Sequence, residues 1–234
     1  MLITRHHVSP PSQSIGIQLL QMVEEYVTDL SMLSVPASNP LYEVYRWALP
    51  IEVGAYIQRI GMNPNEPVEL LLAVDEADPK VLVGFILYSP VPTHPEACGI
   101  NYMAVSQSHR RRGIGQAMLK ELIALYPHVE LTCTIKKVPF YEAAGFIVLD
   151  AHDTQVVMNT RSASTPGMMA VVDVTSIYKS QEANEIHNRL VQRWGVREMR
   201  QAEKHLARHV AQLERQVKTF VEARRQSEET AQSI

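Results

Sequence analysis

Val81–Tyr88 reads Val-Leu-Val-Gly-Phe-Ile-Leu-Tyr, an apolar run interrupted only by Gly84. Alternate side chains of a strand point to opposite faces, so a run this apolar needs cover on both faces of a sheet. Val68–Val74 is a second strand of the same character, and Asp78-Pro79-Lys80 is the turn between the two. The chain must therefore build a layered sheet, and its other segments have to supply the layers.

They do so with helical periodicity. Leu2–Val8 reads as a short strand closed by Ser9, Pro10 and Pro11, and Ser12 or Ser14 offers an N-cap. From Ile15, Leu19, Met22, Tyr26 and Leu30 recur at helical spacing. A second helix begins near Leu41 with Val44, Tyr45 and Ala48 on one face; Pro50 should split it before Val53, Ile57 and Ile60 resume the pattern. Beyond a proline-rich loop, Val91–Pro95, a strand runs from Gly99 to Val105. A helix marked by Ile114, Met118, Leu122 and Leu125, a half-buried strand over Val129–Ile135 and a short helix over Val138–Ala144 come next. Gly145 serves as the C′ residue of that helix, before strands Phe146–Leu149 and Gln155–Met158. The predicted order is β, α, α, β, β, β, α, β, α, β, β.

Chemistry concentrates where the Gly99–Val105 strand enters a helix through Arg110-Arg111-Arg112-Gly113-Ile114-Gly115-Gln116. A glycine-rich turn at a helix start points several N–H groups and the positive end of the helix dipole at one spot, which suits phosphate. Gly113 and Gly115 leave room for close backbone approach, and the arginines add charge-assisted hydrogen bonds, so a pyrophosphate is the natural ligand. Three arginines alone would equally fit a solvated loop or a nucleic-acid contact.

Arg110, Gly113 and Gly115 match the Gln/Arg-x-x-Gly-x-Gly/Ala signature, and here the sequence resembles the GNAT acyltransferase superfamily. Pro139-Phe140-Tyr141-Glu142-Ala143-Ala144-Gly145-Phe146 is similar to a second family pattern, an aromatic pair on a short helix followed by Gly-Phe before a strand. The two motifs stand in the family's order, and the order of elements agrees over residues 1–161. The resemblance implies an α/β fold with a mixed central sheet flanked by helices, here with a C-terminal helical extension. It also implies acetyl-CoA as co-substrate without a metal, its pantetheine along the backbone of Met103, Ala104 and Val105. The pyrophosphate would then meet Arg110, Arg111, Arg112, Gly113, Ile114, Gly115 and Gln116. Tyr141 matches the tyrosine that protonates the departing thiolate, although the same ring could simply fill the groove. The glutamate that the family often carries on its fourth strand has no match in Cys98–Tyr102. Glu96, His94, or a water held by Asn101 or Tyr102 are the open substitutes. The family's asparagine before the tyrosine is likewise missing, with Thr134–Lys137 in its place.

Residues 162–180 read as a linker in which Met168–Val174 could form one more strand, and residues 181–234 as a helical, coiled-coil-like tail. Over residues 181–225 ten Lys and Arg stand against six Asp and Glu. Val196, Met199, Leu206, Val210, Leu213, Val217 and Phe220 follow three-and-four spacing, interrupted at Glu203. Such a stripe must pack on its own domain or another chain, so a homo-oligomer or an assembly partner is expected. His205 and His209, four apart, read as a solvated face rather than metal ligands. Cys98 and Cys133 read as buried reduced thiols. The start lacks a leader-like apolar stretch, and no window offers the roughly 18 to 20 apolar residues of a membrane span, so a cytoplasmic setting without membrane is expected. A net charge of −3 disfavours nucleic acid as a partner. Two functions follow. One is an N-acyltransferase passing acetyl to an amine of a small molecule or protein; the other is a catalytically silent scaffold whose tail docks into a multiprotein or viral particle.

Overall fold

The structure, a computed structural model, describes residues 1–232. Seven strands form one sheet in the order β1-β2-β3-β4-β5-β7-β6. They are β1 (Leu2–His6), β2 (Glu69–Val74), β3 (Leu82–Val91), β4 (His94–Val105), β5 (His128–Cys133), β6 (Ile147–His152) and β7 (Gln155–Asn159). Every neighbouring pair is antiparallel except β4 and β5. The expected α/β architecture is the one observed.

The period of two decides which layer each side chain joins, except at the β2–β3 register shift near Ala73 and Val74, which puts Val83 and Phe85 on different faces. Leu70, Leu72, Phe85 and Leu87 face one core with α1 (Gln13–Glu25) and α3 (Tyr42–Gln58). Leu71, Ala73, Val83 and Ile86 face the other with α4 (Ile114–Leu125), Val138 of α5 (Val138–Glu142) and Phe146. Burial on both faces is why these strands carry almost no polar side chain. One exception is Glu69, 8% exposed, which accepts from Arg5 Nε at 2.8 Å, Tyr88 at 2.7 Å and Tyr126 at 3.1 Å. That network ties β1, β2, β3 and the end of α4, and it satisfies a charge that would otherwise be costly to bury. Both cysteines are free and buried, and burial pushes the Cys133 thiol up to about 12.

Several local expectations are corrected. Pro50 does not split its helix: α3 is continuous, because Ala48, Leu49, Val53, Tyr56 and Ile57 bury one stripe on both sides of the proline. That burial offsets the roughly 3 kcal/mol of a helical proline. The first helix instead breaks at Tyr26, giving α1 and α2 (Val27–Leu30), and the Tyr26 hydroxyl accepts from the Gln107 N–H at 2.7 Å. The proline-rich loop is a tight hairpin in which Val91 pairs with His94, so β4 starts at His94. Pro90 is tolerated because β2 ends opposite Tyr88, leaving β3 only β4 to pair with beyond that point. Met168–Val174 forms no strand. It crosses β4 instead, with Met169 seated where a Cβ on Gly99 would lie 2.1 Å from its sulfur, and the Val172 N–H donating to Tyr56.

After α6 (Thr175–Tyr178) the tail forms two helices, α7 (Gln181–Trp194) and α8 (Val196–Gln232), separated at Gly195 with φ of 85°. Met199, Leu206, Val217 and Val221 of α8 are buried within the same chain, the last two in the α4-side core against β6 and β7. Val196 is an exception to the expected stripe at 55% exposure. It is the first residue of α8, just past the glycine break. His209 is not simply solvated: its Nε2 lies 3.2 Å from the Ser34 carbonyl oxygen. Among the described residues no helix is long and apolar enough to cross a membrane.

Val217→Ala should lower stability by about 2 kcal/mol through lost burial and a residual cavity. Val196→Ala should change it by less than about 0.5 kcal/mol. Urea unfolding midpoints compare the two.

Candidate active site

β4 holds one residue more than β3 across from it: Leu87 pairs with Tyr102 and Tyr88 with Ile100, so Asn101 bulges. Its amide donates to Ser89 Oγ at 2.8 Å, which fixes the bulge. The parallel pairing of β4 with β5 stops at the same level, at Ile100 and Leu131, while β5 continues alongside β7. From Asn101 to Val105 the strand keeps β3 on one side and leaves its other edge without a strand partner. The two parallel strands splay, and an extended molecule can pair with that edge through backbone hydrogen bonds. Met103, Ala104 and Val105 lie along it.

The free edge runs directly into the arginine turn. A 3-10 turn over Gln107–His109 is followed by Arg111 with φ of 63° and Gly113 with φ of 77°, and α4 begins at Ile114. Two left-handed residues reverse the backbone, so that N–H groups gather at the helix start. The N–H groups of Arg111, Arg112 and Gly113 donate to no protein group among the described residues. Those of Ile114, Gly115 and Gln116 belong to the first helical turn and have no intrahelical acceptor. Gly115 is required by packing: a Cβ there would stand 2.9 Å from the Phe140 ring and 3.2 Å from Met103 Cε. The Gln116 amide donates to the Phe140 carbonyl at 2.8 Å and so ties α4 to α5.

The three arginines have different surroundings. Arg110 is turned toward α2: its guanidinium sits 4.5 Å from the Tyr26 ring centre and 3.7 Å from Asp29, and its Nε donates to the Val105 carbonyl. Arg111 and Arg112 are exposed and take part in no ion pair among the described residues. Arg110 therefore braces the turn, and the other two leave their charge available at its mouth.

Tyr141 sits on α5 with its ring edge-on to Phe140 and Phe146, and its hydroxyl 4.0 Å from Met103 Sδ. Burial, and secondarily Cys133, raises its phenol well above the usual range, so the proton is held throughout the neutral range. The open substitutes for a base do not converge on one spot. His94 contacts Thr93 at the hairpin tip, Glu96 is exposed, and Asn101 is engaged by Ser89. Tyr102 does bring a carboxylate to the strand: its hydroxyl donates to Glu52 Oε1 of α3 at 2.5 Å. Burial raises the Glu52 carboxyl above the usual carboxylate range, while the tyrosine's hydrogen bond draws it back down. Glu52 was missed in the sequence, although a signal was there. It falls between Ala48, Leu49, Val53, Tyr56 and Ile57 at helical spacing, a charge within a buried stripe.

The loop after α2 closes one end of the gap. Met32 reaches across to β5 and the β6–β7 turn, its sulfur 3.9 Å from Thr132 Oγ1 and its carbonyl accepting from Thr154.

Residues 38–146, which include the α3 helix, the splay, the turn and α5, match the model of the acetyltransferase (GNAT) family. Over that segment, a little under half of its length, the chain is similar to the GNAT family. Among solved structures, one described as histone acetyltransferase HPA2 and related acetyltransferase from Corynebacterium glutamicum is 21% identical; the match covers 71% of this chain and 99% of that one at a TM-score of 0.49. An acyl-CoA N-acyltransferase from Pseudomonas aeruginosa is 13% identical over 68% of this chain and 99% of its own, TM-score 0.49. An aminoglycoside 6′-N-acetyltransferase complexed with coenzyme A is 16% identical over 71% and 99%, TM-score 0.48. No curated protein matches the chain.

Within this GNAT fold the two glycines of the turn should respond differently. Gly113→Ala meets open space but strains a left-handed residue, at a cost of about 1–2 kcal/mol. Gly115→Val must push apart Phe140 and Met103, and should cost about 3 kcal/mol and disturb α5 as well. Urea unfolding measures both costs, and near-ultraviolet circular dichroism reports the tyrosine environment at α5.

Proposed function

We propose that this chain transfers the acetyl group of acetyl-CoA to an amine of a small molecule or a protein, by direct attack of the amine on the thioester. The observation that supports this most is the junction of the free β4 edge with the turn at Arg111–Gln116. A strand edge suited to an extended amide chain ends at a cluster of unpaired N–H groups suited to a pyrophosphate. Pantetheine carries two amides and would pair with Met103, Ala104 and Val105. Arg111, Gly113, Ile114, Gly115 and Gln116 would receive the pyrophosphate through backbone N–H groups, with Arg112 and Arg111 adding side-chain charge. Arg110 serves by holding the turn against Asp29 and Tyr26.

Tyr141 is the acid in this reading. Its phenol keeps its proton through the neutral range and stands on the α4–α5 side of the gap, beside Met103, where a departing thiolate would need one. The two free buried cysteines support a cytoplasmic setting. The scaffold alternative drew its support from the tail and from the missing strand carboxylate. The tail's apolar stripe is largely covered inside its own chain, and Glu52 reaches the strand from α3. Any assembly through α8 would have to use the remaining exposed face of that helix.

Acetyl-CoA at about 100 times its dissociation constant should stabilise the native protein by about 2.7 kcal/mol, seen as a raised thermal midpoint. Gly113→Asp, which places a carboxylate at the phosphate site, should lose the shift. An unshifted native midpoint would contradict the cofactor reading. Tyr141→Phe should keep the shift while acetyl transfer falls by about 10²-fold or more. Transfer at the native rate would remove Tyr141 from the acid's role.

A further inference from the structure

Glu52 has no cationic partner among the described residues. The groups that face it are phenols. Tyr102 of β4 donates to it, Tyr56 of α3 lies edge-on to Tyr102 at 6.3 Å between ring centres, and Tyr178 of α6 is near enough that the Glu52 charge helps to keep its phenol protonated. Tyr45 completes the group, 5.7 Å from Tyr178. All four phenols are neutral near pH 7, burial having raised each of them. A half-buried carboxylate among tyrosine rings, with no counter-ion, is a place where an ammonium group gains both a charge partner and the faces of aromatic rings.

Its position relative to the splay gives that niche a chemical use. Tyr102 is the first residue past the bulge, and its side chain packs on the α1–α3 side. Met103, the next residue, points to the opposite side, where it meets Tyr141. Glu52 and Tyr141 thus approach one free strand edge from opposite faces of the sheet.

Resting on the transferase reading above, we propose that Glu52 is the catalytic base and that the acceptor is an aliphatic primary amine, bound as its ammonium on the α1–α3 face with Tyr102 positioning the carboxylate. An aliphatic amine with a reference pKa near 10.4 arrives protonated and must lose a proton before it can attack. Glu52 takes that proton and passes it to solvent. The nitrogen lone pair then forms a bond to the acetyl carbon, and the carbon–sulfur bond breaks. The second proton leaving nitrogen replaces the one that Tyr141 gives to the sulfur, so the products are the amide and free CoA thiol.

Steady-state kinetics with saturating acetyl-CoA, from about pH 6 to about pH 9, test this with n-butylamine, 1,4-diaminobutane and Nα-acetyl-lysine amide, and with aniline as an amine already neutral in that range. Glu52→Gln should lower kcat/KM for the aliphatic amines by about 10²-fold or more, should affect aniline far less, and should leave the thermal shift with acetyl-CoA intact. Tyr102→Phe removes the hydrogen bond that draws the Glu52 pKa down, so the acid limb of its pH profile should move to higher pH. Glu52→Gln with native kcat/KM and an unchanged acid limb would overturn the role of Glu52 and leave the transferase reading standing. A native protein that is stabilised by acetyl-CoA yet acetylates none of these aliphatic amines would overturn the assigned acceptor class. A native midpoint that acetyl-CoA does not move marks the failure of the cofactor reading itself, and the proposal falls with it.

Discussion

The extra residue of β4 at Asn101 separates that strand from β5, and the geometry of the site follows from the separation. A regular parallel pair would bond along its full length and leave no backbone free in the middle of a seven-stranded sheet. With the bulge held by Ser89, pairing ends at Ile100 and Leu131, and the next five residues keep an unpaired edge inside the molecule. Such an edge in solvent would invite another strand. Here α3 packs on one face, α4 and α5 on the other, and the Met32 loop reaches β5. The same bulge resets the alternation of side chains, sending Tyr102 to one face and Met103 to the other. The acid and base proposed above therefore need no special loop; the pleat of a single strand would separate them.

The turn beyond the edge was legible because its chemistry is local. Arg110–Gln116 carries its own backbone requirement, two left-handed residues and a packing glycine, within seven positions. The Phe140–Phe146 pattern is equally local, with Tyr141 on a short helix capped by Gly145. Legibility fails where a contact joins distant segments. Glu52 and Tyr102 are 50 residues apart, and nothing in either segment alone couples them. Pro50 is the stronger local signal in that segment, and it masks the charge two residues later. The Asn101 bulge was not legible, since a strand's own sequence does not state the register of its neighbour. The prolines of Val91–Pro95 suggest a loop, but Pro92 sits at the tip of a hairpin in which Val91 pairs with His94.

The tail illustrates a partial reading. Its periodicity correctly marked Met199, Leu206 and Val217 as needing cover, yet periodicity does not say which surface provides it. The cover comes from α7, from β6 and β7, and from the strand-side core. Val196, the first residue of α8 beyond Gly195, stays exposed and drops out of the stripe. Through His209 at Ser34 and the Ala202 carbonyl accepting from Asn39, α8 also holds the segment that contains the Met32 loop. The extension is thus part of the wall around the splay rather than an appendage.

Amide hydrogen exchange of the native protein with and without acetyl-CoA tests the central claim, that the free edge of β4 and the turn after it form the acyl-donor site. The account predicts that acetyl-CoA slows exchange over Tyr102–Val105 and Arg111–Gln116 together, with little change in β1, β2 or α7. Protection confined to another surface, or binding without protection at the β4 edge, would contradict it.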